Sequence, residues 1–193
     1  MNNLAYTDDM ALKQRFELLN GKVVMMSPRP RIDHLCVVGN IYRQFANYLS
    51  GKKCIAYPDG ADVYLDEKNK FIPDGMIVCN RDIIKPDGIH GAPDLVVEVL
   101  SRSTAKNDRT IKKDAYAKAG VNEYWLVDIG NKAVEVYLNC DHELQLNAIY
   151  YYLTDAEIQE NTAKNISLAQ EINVSICDNL VVRLSDIFEN LLF

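Results

Sequence analysis

Short apolar runs separated by turn residues dominate the chain, with two helical stretches set between them. Phe16–Leu19 and Lys22–Met26 flank Asn20-Gly21. Both turn residues tolerate positive φ, so the pair predicts a β-hairpin. Ser27-Pro28-Arg29-Pro30 reads as a loop. From Asp33 to Leu49, Val37, Val38, Ile41, Phe45 and Leu49 recur at helical spacing, with Asp33 as the expected N-cap. Strands are expected at 53–57, 62–65 and 71–78, the last two joined by a turn at 66–69, with a loop over 82–91. Asp94–Leu100 is a continuous apolar run, the pattern of a central strand covered on both faces. Ala105–Ala119 reads as a helix stopped by Gly120 at its C′ position. Glu123–Asp128 and Ala133–Leu138 read as a strand pair turning at Gly130-Asn131. Glu143–Leu153 is a further strand, and Ser185–Leu192 a last helix capped by Ser185. This order predicts an α/β architecture: a mixed β-sheet flanked by helices, with an N-terminal β-hairpin. No repeat, low-complexity stretch or Gly/Ser linker divides the chain, so 1–193 is expected to form a single domain.

Composition narrows the class. The chain is 48% hydrophobic and 25% charged, ordinary for a globular protein and far from a disordered or collagenous one. No apolar run reaches the length of a membrane span, and the first residues lack the basic and apolar regions of a signal peptide. Cys36, Cys54, Cys79, Cys140 and Cys177 are odd in number and scattered, which suggests neither a zinc site nor a disulfide framework. A cytoplasmic protein is the simplest expectation.

Twenty-one basic residues against 27 acidic ones give a net charge of −6, so no overall basic field attracts nucleic acid. The charge is uneven. Residues 102–118 carry six basic side chains against Asp108 and Asp114, and residues 140–193 carry nine acidic ones against Lys164 and Arg183. The basic segment is either a solvated helix face or a phosphate-contacting one through Arg102, Lys106, Arg109 and Lys113.

Glu98 is the most informative single residue. It stands alone among Leu95, Val96, Val97, Val99 and Leu100. A carboxylate in a buried strand requires a partner cation or a metal, unless it sits at an exposed strand end. Asp74 follows Pro73 and opens another apolar segment, so two neighbouring strands could each offer one carboxylate to a hard cation such as Mg²⁺ or Mn²⁺. Asp94 lies four residues before Glu98, on the same strand face; it is either a further ligand or a strand-start turn residue. Asp108, Lys112 and Tyr116 share one helix face. Lys112 is then either a lysine poised over a metal-bound water or a surface lysine paired with Asp108. His34 and Glu17 are weaker candidates, the first readable as a structural histidine and the second as a water-facing strand residue. No Ser/His/Asp triad and no phosphate-binding glycine pattern occurs.

These residues fall in a recognisable succession: F-E-L-L-N-G-K-V-V-M-M-S-P at 16–28, His34, I-P-D at 72–74, A-P-D-L-V-V-E-V-L-S-R-S-T at 92–104, D-R-T-I-K-K-D-A-Y at 108–116 and A-G-V-N-E-Y-W-L-V-D at 119–128. Over about residues 10–140 the chain resembles the Uma-type restriction endonuclease family, long described as a domain of unknown function, within the PD-(D/E)XK nuclease-like superfamily. The resemblance implies a restriction-endonuclease-like core, with metal ligands at Asp74 and Glu98. The superfamily expects a lysine two residues after the glutamate, where this chain has Leu100; the family pattern takes it from the next helix, at Lys112. Glu17 and His34 match family positions near the site.

Two functional classes follow. The first is a divalent-metal nuclease cleaving DNA, a homodimer joining two basic faces. The second is a catalytically silent binding or regulatory module on the same fold. RNA hydrolysis is a third reading, which the sequence does not separate from the first.

Overall fold

The structure, a computed structural model, describes residues 15–26, 29–164 and 168–192; Ser27 and Pro28 of the expected loop lie outside them. Among the described residues, two six-stranded sheets and a small hairpin make up the β structure. The expected N-terminal hairpin is present: β1 (Phe16–Leu19) pairs antiparallel with β2 (Lys22–Met25). Asn20 and Gly21 turn it at φ 50° and 79°, the left-handed values a two-residue turn requires. β1 continues through β5 (Lys70–Phe71) to β4 (Val63–Tyr64), β8 (Gly88–His90) and β7 (Ile84–Lys85), forming the first sheet.

The second sheet carries the core. Its order is β12 (Glu143–Tyr151), β11 (Ala133–Cys140), β10 (Glu123–Asp128), β9 (Leu95–Val99), β6 (Gly75–Val78) and β3 (Ile55–Pro58). Only β9 and β10 run parallel; the other pairs are antiparallel. All five residues of β9 are buried, as an apolar strand covered on both faces should be. On one face, Leu95, Val97 and Val99 join Val37, Ile41 and Phe45 of helix α1 (Ile32–Leu49) and the C-terminal segment. On the other, Val96 and Leu126 pack with Tyr116, Tyr124, Leu19 and Phe71. That second face lies beneath the β9–β10 crossover, since parallel neighbours need a long connection.

The expected helix 105–119 forms, but not as one regular helix. α2 (Ala105–Asn107) passes through a π-helical turn (Asp108–Lys112) into α3 (Lys113–Ala119). A π turn shifts the backbone ladder by one residue and leaves groups to satisfy. The Tyr124 hydroxyl donates to the Asp108 carbonyl at 3.0 Å, and the Thr110 hydroxyl to the Lys106 carbonyl at 2.6 Å. Gly120 ends α3 at φ 98°, a C′ conformation a side chain would strain.

Several expectations require correction. The strand expected at 71–78 is two strands in different sheets, separated at Ile72-Pro73, because proline cannot donate to a ladder. The expected loop 82–91 contains the β7–β8 hairpin. Asp33 is not an N-cap; it lies inside α1 and accepts from the Leu192 amide. The C-terminal helix is a single turn, α5 (Leu184–Ile187), without a Ser185 cap. Helix α4 (Asp155–Ala163) and the hairpin β13 (Glu171–Asn173)–β14 (Val181–Arg183) were not anticipated. Cys54 and Cys79 form a disulfide, contrary to the expectation of none. The β3–β6 ladder pairs Ile55 with Val78 and so sets the flanking cysteines opposite each other. No described helix is long and apolar enough to cross a membrane.

Candidate active site

The site lies at the end of β9, where both sheets and the crossover helix meet. Glu98 is 4% exposed, Lys112 3% and Asp108 1%. Lys112 Nζ stands 3.0 Å from Glu98 Oε1, 2.8 Å from Glu17 Oε1 and 3.4 Å from Asp108 Oδ1. Lys112 is therefore not a surface lysine, although it does pair with Asp108. Tyr116 donates its hydroxyl to the same Glu98 oxygen at 3.1 Å. The shared face read from residues 108, 112 and 116 thus converges on Glu98. Glu17 does not face water. Sheet one carries it inward, buried, where Oε1 also accepts from the Ile72 amide at 3.0 Å.

Asp74 immediately precedes β6. The β6–β9 register sets Gly75 opposite Val97 and Met76 opposite Val96. Asp74 lies one residue beyond this register, near enough that its charge acts on Glu98. Asp74 Oδ2 accepts from the Val99 amide at 2.7 Å, and Oδ1 meets His34 Nε2 at 2.9 Å. His34 reaches it from the first turn of α1.

Asp94 stays apart from this group. Its Oδ2 accepts from the Cys79 amide at 2.7 Å and its backbone carbonyl from Asn122 and Glu123. Four residues of strand separate it from Glu98, about 13 Å at 3.3 Å per residue. Among the basic candidates, Arg102 and Lys106 are exposed. Arg109 pairs with Glu135, and Lys113 lies over the Tyr137 ring.

The electrostatics follow from burial and crowding. Three carboxylates surround one ammonium, formally −2 with all groups ionised. Burial raises the Glu98 carboxyl well above its ordinary range; Lys112 opposes this, and Asp108, Asp74 and Glu17 add to it. Burial also raises Asp108, again against Lys112. For Lys112, burial favours the neutral amine, but the surrounding carboxylates prevail and hold it protonated beyond its usual range. His34 is likewise lowered by burial but raised on balance by Asp74. Tyr116 is pushed well up by burial and the Glu98 charge, which keeps it a hydrogen-bond donor.

A hard divalent cation suits this donor set in kind. The donors are carboxylate oxygens, and their charge exceeds that of the one ammonium among them. Their present spacing is another matter. Among the described residues, no group of three His, Cys, Asp or Glu side chains is gathered closely enough to hold a metal ion.

In the sequence Asp108 and Tyr116 are legible only as neighbours of Lys112 on a helix face, and Tyr124 is not legible as part of the site. The i, i+4 spacing of Asp108 to Lys112 carried the signal for the first. Nothing local marks Tyr124, whose hydroxyl acts through a backbone carbonyl across the fold.

A mixed sheet with an acidic residue on each of two adjoining segments, and a crossover helix over them, defines a restriction-endonuclease-like fold. The crystal structure of a putative nuclease belonging to DUF820 from Anabaena variabilis ATCC 29413 shares it, with a TM-score of 0.68 over 94% of this chain and 97% of that one, at 18% identity. The chain belongs to the Uma2 family, described as putative restriction endonucleases, whose model matches residues 4–171. That match extends at both ends beyond residues 10–140, the span of the resemblance read from the sequence. No curated protein matches the chain.

Proposed function

We propose that this chain is a divalent-metal-dependent nuclease that hydrolyses DNA phosphodiester bonds. Asp74 and Glu98 would hold Mg²⁺ or Mn²⁺, and Lys112 would position the attacking water or stabilise charge on the phosphorane. The observation that carries the reading is a buried lysine 3.0 Å from Glu98, next to an Asp74 whose carboxylate accepts from the following Val99 amide at 2.7 Å. When bound, the cation supplies Lewis acidity and lowers the pKa of its water. The chain's own groups orient the rest. The Val99 amide fixes one Asp74 oxygen and His34 the other. Tyr116 and Lys112 hold Glu98 Oε1, leaving Oε2 without a hydrogen bond among the described residues. A protonated Lys112 is an ammonium donor, suited to steadying negative charge rather than to removing a proton.

The test is turnover of supercoiled plasmid, single-stranded DNA and RNA with Mg²⁺, Mn²⁺ or EDTA. Metal-activated cleavage that falls about 10²-fold in Lys112→Ala, at a temperature where circular dichroism shows the variant folded, supports the reading. Full activity in EDTA, or unchanged activity in Lys112→Ala, refutes it. One observation favours the catalytically silent alternative: in the present geometry Lys112 is engaged by three carboxylates, and among the described residues no ligand group is preassembled. Under that reading no substrate turns over with any metal. A homodimer joining two sites belongs to the nuclease reading, and sedimentation equilibrium tests it.

A further inference from the structure

Beside the acidic cluster the molecule has an open cleft of 640 Å³, walled by Arg15, Phe16, Tyr57, Lys70, Ile72 and Lys85 among others. Two observations link it to the site. Ile72 lines the cleft, while its amide donates to Glu17 Oε1, the oxygen that also meets Lys112. The β3–β6 ladder pairs Tyr57 with Met76 and Pro58 with Gly75, so the next residue, Asp59, adjoins Asp74. Arg15, on the cleft wall, holds both oxygens of Asp59.

The lining has a definite chemistry. Lys70 is only 6% exposed; its Nζ is 3.2 Å from Asp62 Oδ2 and 3.8 Å from the Phe16 ring centroid. Lys70 thus neutralises Asp62 and rests on an aromatic face. Phe16 remains 37% exposed. Arg15 is paired with Asp59 and Lys70 with Asp62, so of the three cations that line the cleft only Lys85 has no ion pair among the described residues, and it faces Asp87 on the same wall. Aromatic faces interleaved with cations are how proteins hold single-stranded nucleic acid. The volume lies in the range that encloses one small ligand, and a base stacked inside a duplex cannot reach Phe16 without being flipped out.

We propose that this cleft receives one unstacked nucleotide of a single-stranded polynucleotide, the unit adjoining the phosphodiester at the acidic cluster. The inference rests on the nuclease reading for what occupies the cluster, but its test does not depend on turnover. Fluorescence anisotropy with labelled dT10, rU10 and a ten-base-pair duplex, in Ca²⁺ in place of Mg²⁺, measures binding alone. Single strands should bind more tightly than the duplex, with dT10 against rU10 deciding the sugar. Phe16→Leu keeps an apolar side chain and removes the π face. It should weaken single-strand binding about tenfold and leave duplex binding unchanged. Lys85→Ala should reduce the salt dependence of single-strand binding by about 0.7 in log–log slope. Equal binding of duplex and single strand overturns the proposal, as does an unchanged Kd in a Phe16→Leu protein of normal Tm. If wild type cleaves nothing but this binding pattern holds, the nuclease reading fails and the cleft stands. If it cleaves and the pattern is absent, the cleft alone fails.

Discussion

Replacing Lys112 with methionine should destabilise the metal-free protein severely, and more so as pH rises. Methionine keeps much of the aliphatic length and removes the ammonium, leaving Glu17, Glu98 and Asp108 facing one another in a buried site. Removing one partner of a buried ion pair costs about 3–5 kcal/mol. For a chain of this size each kcal/mol shifts Tm by about 2–4 °C, so a fall of about 6–20 °C is expected near neutral pH. The pH dependence has a fixed sign. Glu98 already has a raised carboxyl pKa, with Lys112 opposing the rise; without the lysine it rises further. A carboxyl whose folded pKa exceeds its unfolded value, about 4.3, binds its proton more tightly when folded. The penalty is then absent below the unfolded value and develops as pH climbs toward the folded one. Thermal unfolding followed by circular dichroism in EDTA, at pH 5.5 and pH 8, reads both effects. A Tm within a degree or two of wild type at pH 8, or a larger loss at pH 5.5 than at pH 8, would refute the charge accounting.

Glu98→Gln should leave the fold intact and raise the Tm of metal-free protein by a few degrees, because it reduces the carboxylate excess while Lys112 keeps Glu17 and Asp108; a marked fall would identify Glu98 as a structural ion-pair partner. Mg²⁺ or Mn²⁺ at about 100 times its Kd should stabilise wild type by about 2.7 kcal/mol, seen as a rise in Tm that Glu98→Gln abolishes. Tyr124→Phe should cost about 0.5–1.5 kcal/mol by removing the hydroxyl's bond to the Asp108 carbonyl, measured by urea unfolding. Gly21→Ala should cost about 1 kcal/mol, since Gly21 holds φ 79° in the hairpin turn, and the same unfolding curves check it.

The sequence made some parts of this site legible for identifiable reasons. Glu98 stood out because a carboxylate in an apolar strand demands an explanation wherever the strand lies. Asp108, Lys112 and Tyr116 were legible as a face because helical spacing is local, and the π turn between them does not separate them. The Asn-Gly hairpin and the Gly120 stop were legible through backbone conformations that few residues adopt. The burial of Glu17 was not. A four-residue strand does not declare which side is covered, and its partners Ile72 and Lys112 lie 55 and 95 positions away. The break at Pro73 was misread because an apolar pattern runs on across it. The Cys54–Cys79 pairing required the β3–β6 register, a relation between strands that no single segment carries.

Sharing one ammonium among carboxylates from separate segments also bears on how the chain assembles. Glu17, Glu98 and Lys112 arrive on β1, β9 and the crossover helix, so the cluster closes only after contacts of high sequence separation have formed. Such contacts require loop closure before they return any stabilisation, which places the charge cluster late in folding. Until the first hairpin docks, Lys112 faces one carboxylate fewer. Once docked, the hairpin cannot leave without stripping Glu17 from both Lys112 and the Ile72 amide. Opening of this corner is therefore tied to loss of the site. The Ile72 amide, held by Glu17 Oε1 at 3.0 Å, becomes its hydrogen-exchange reporter, with protection that measures how long the assembled cluster persists.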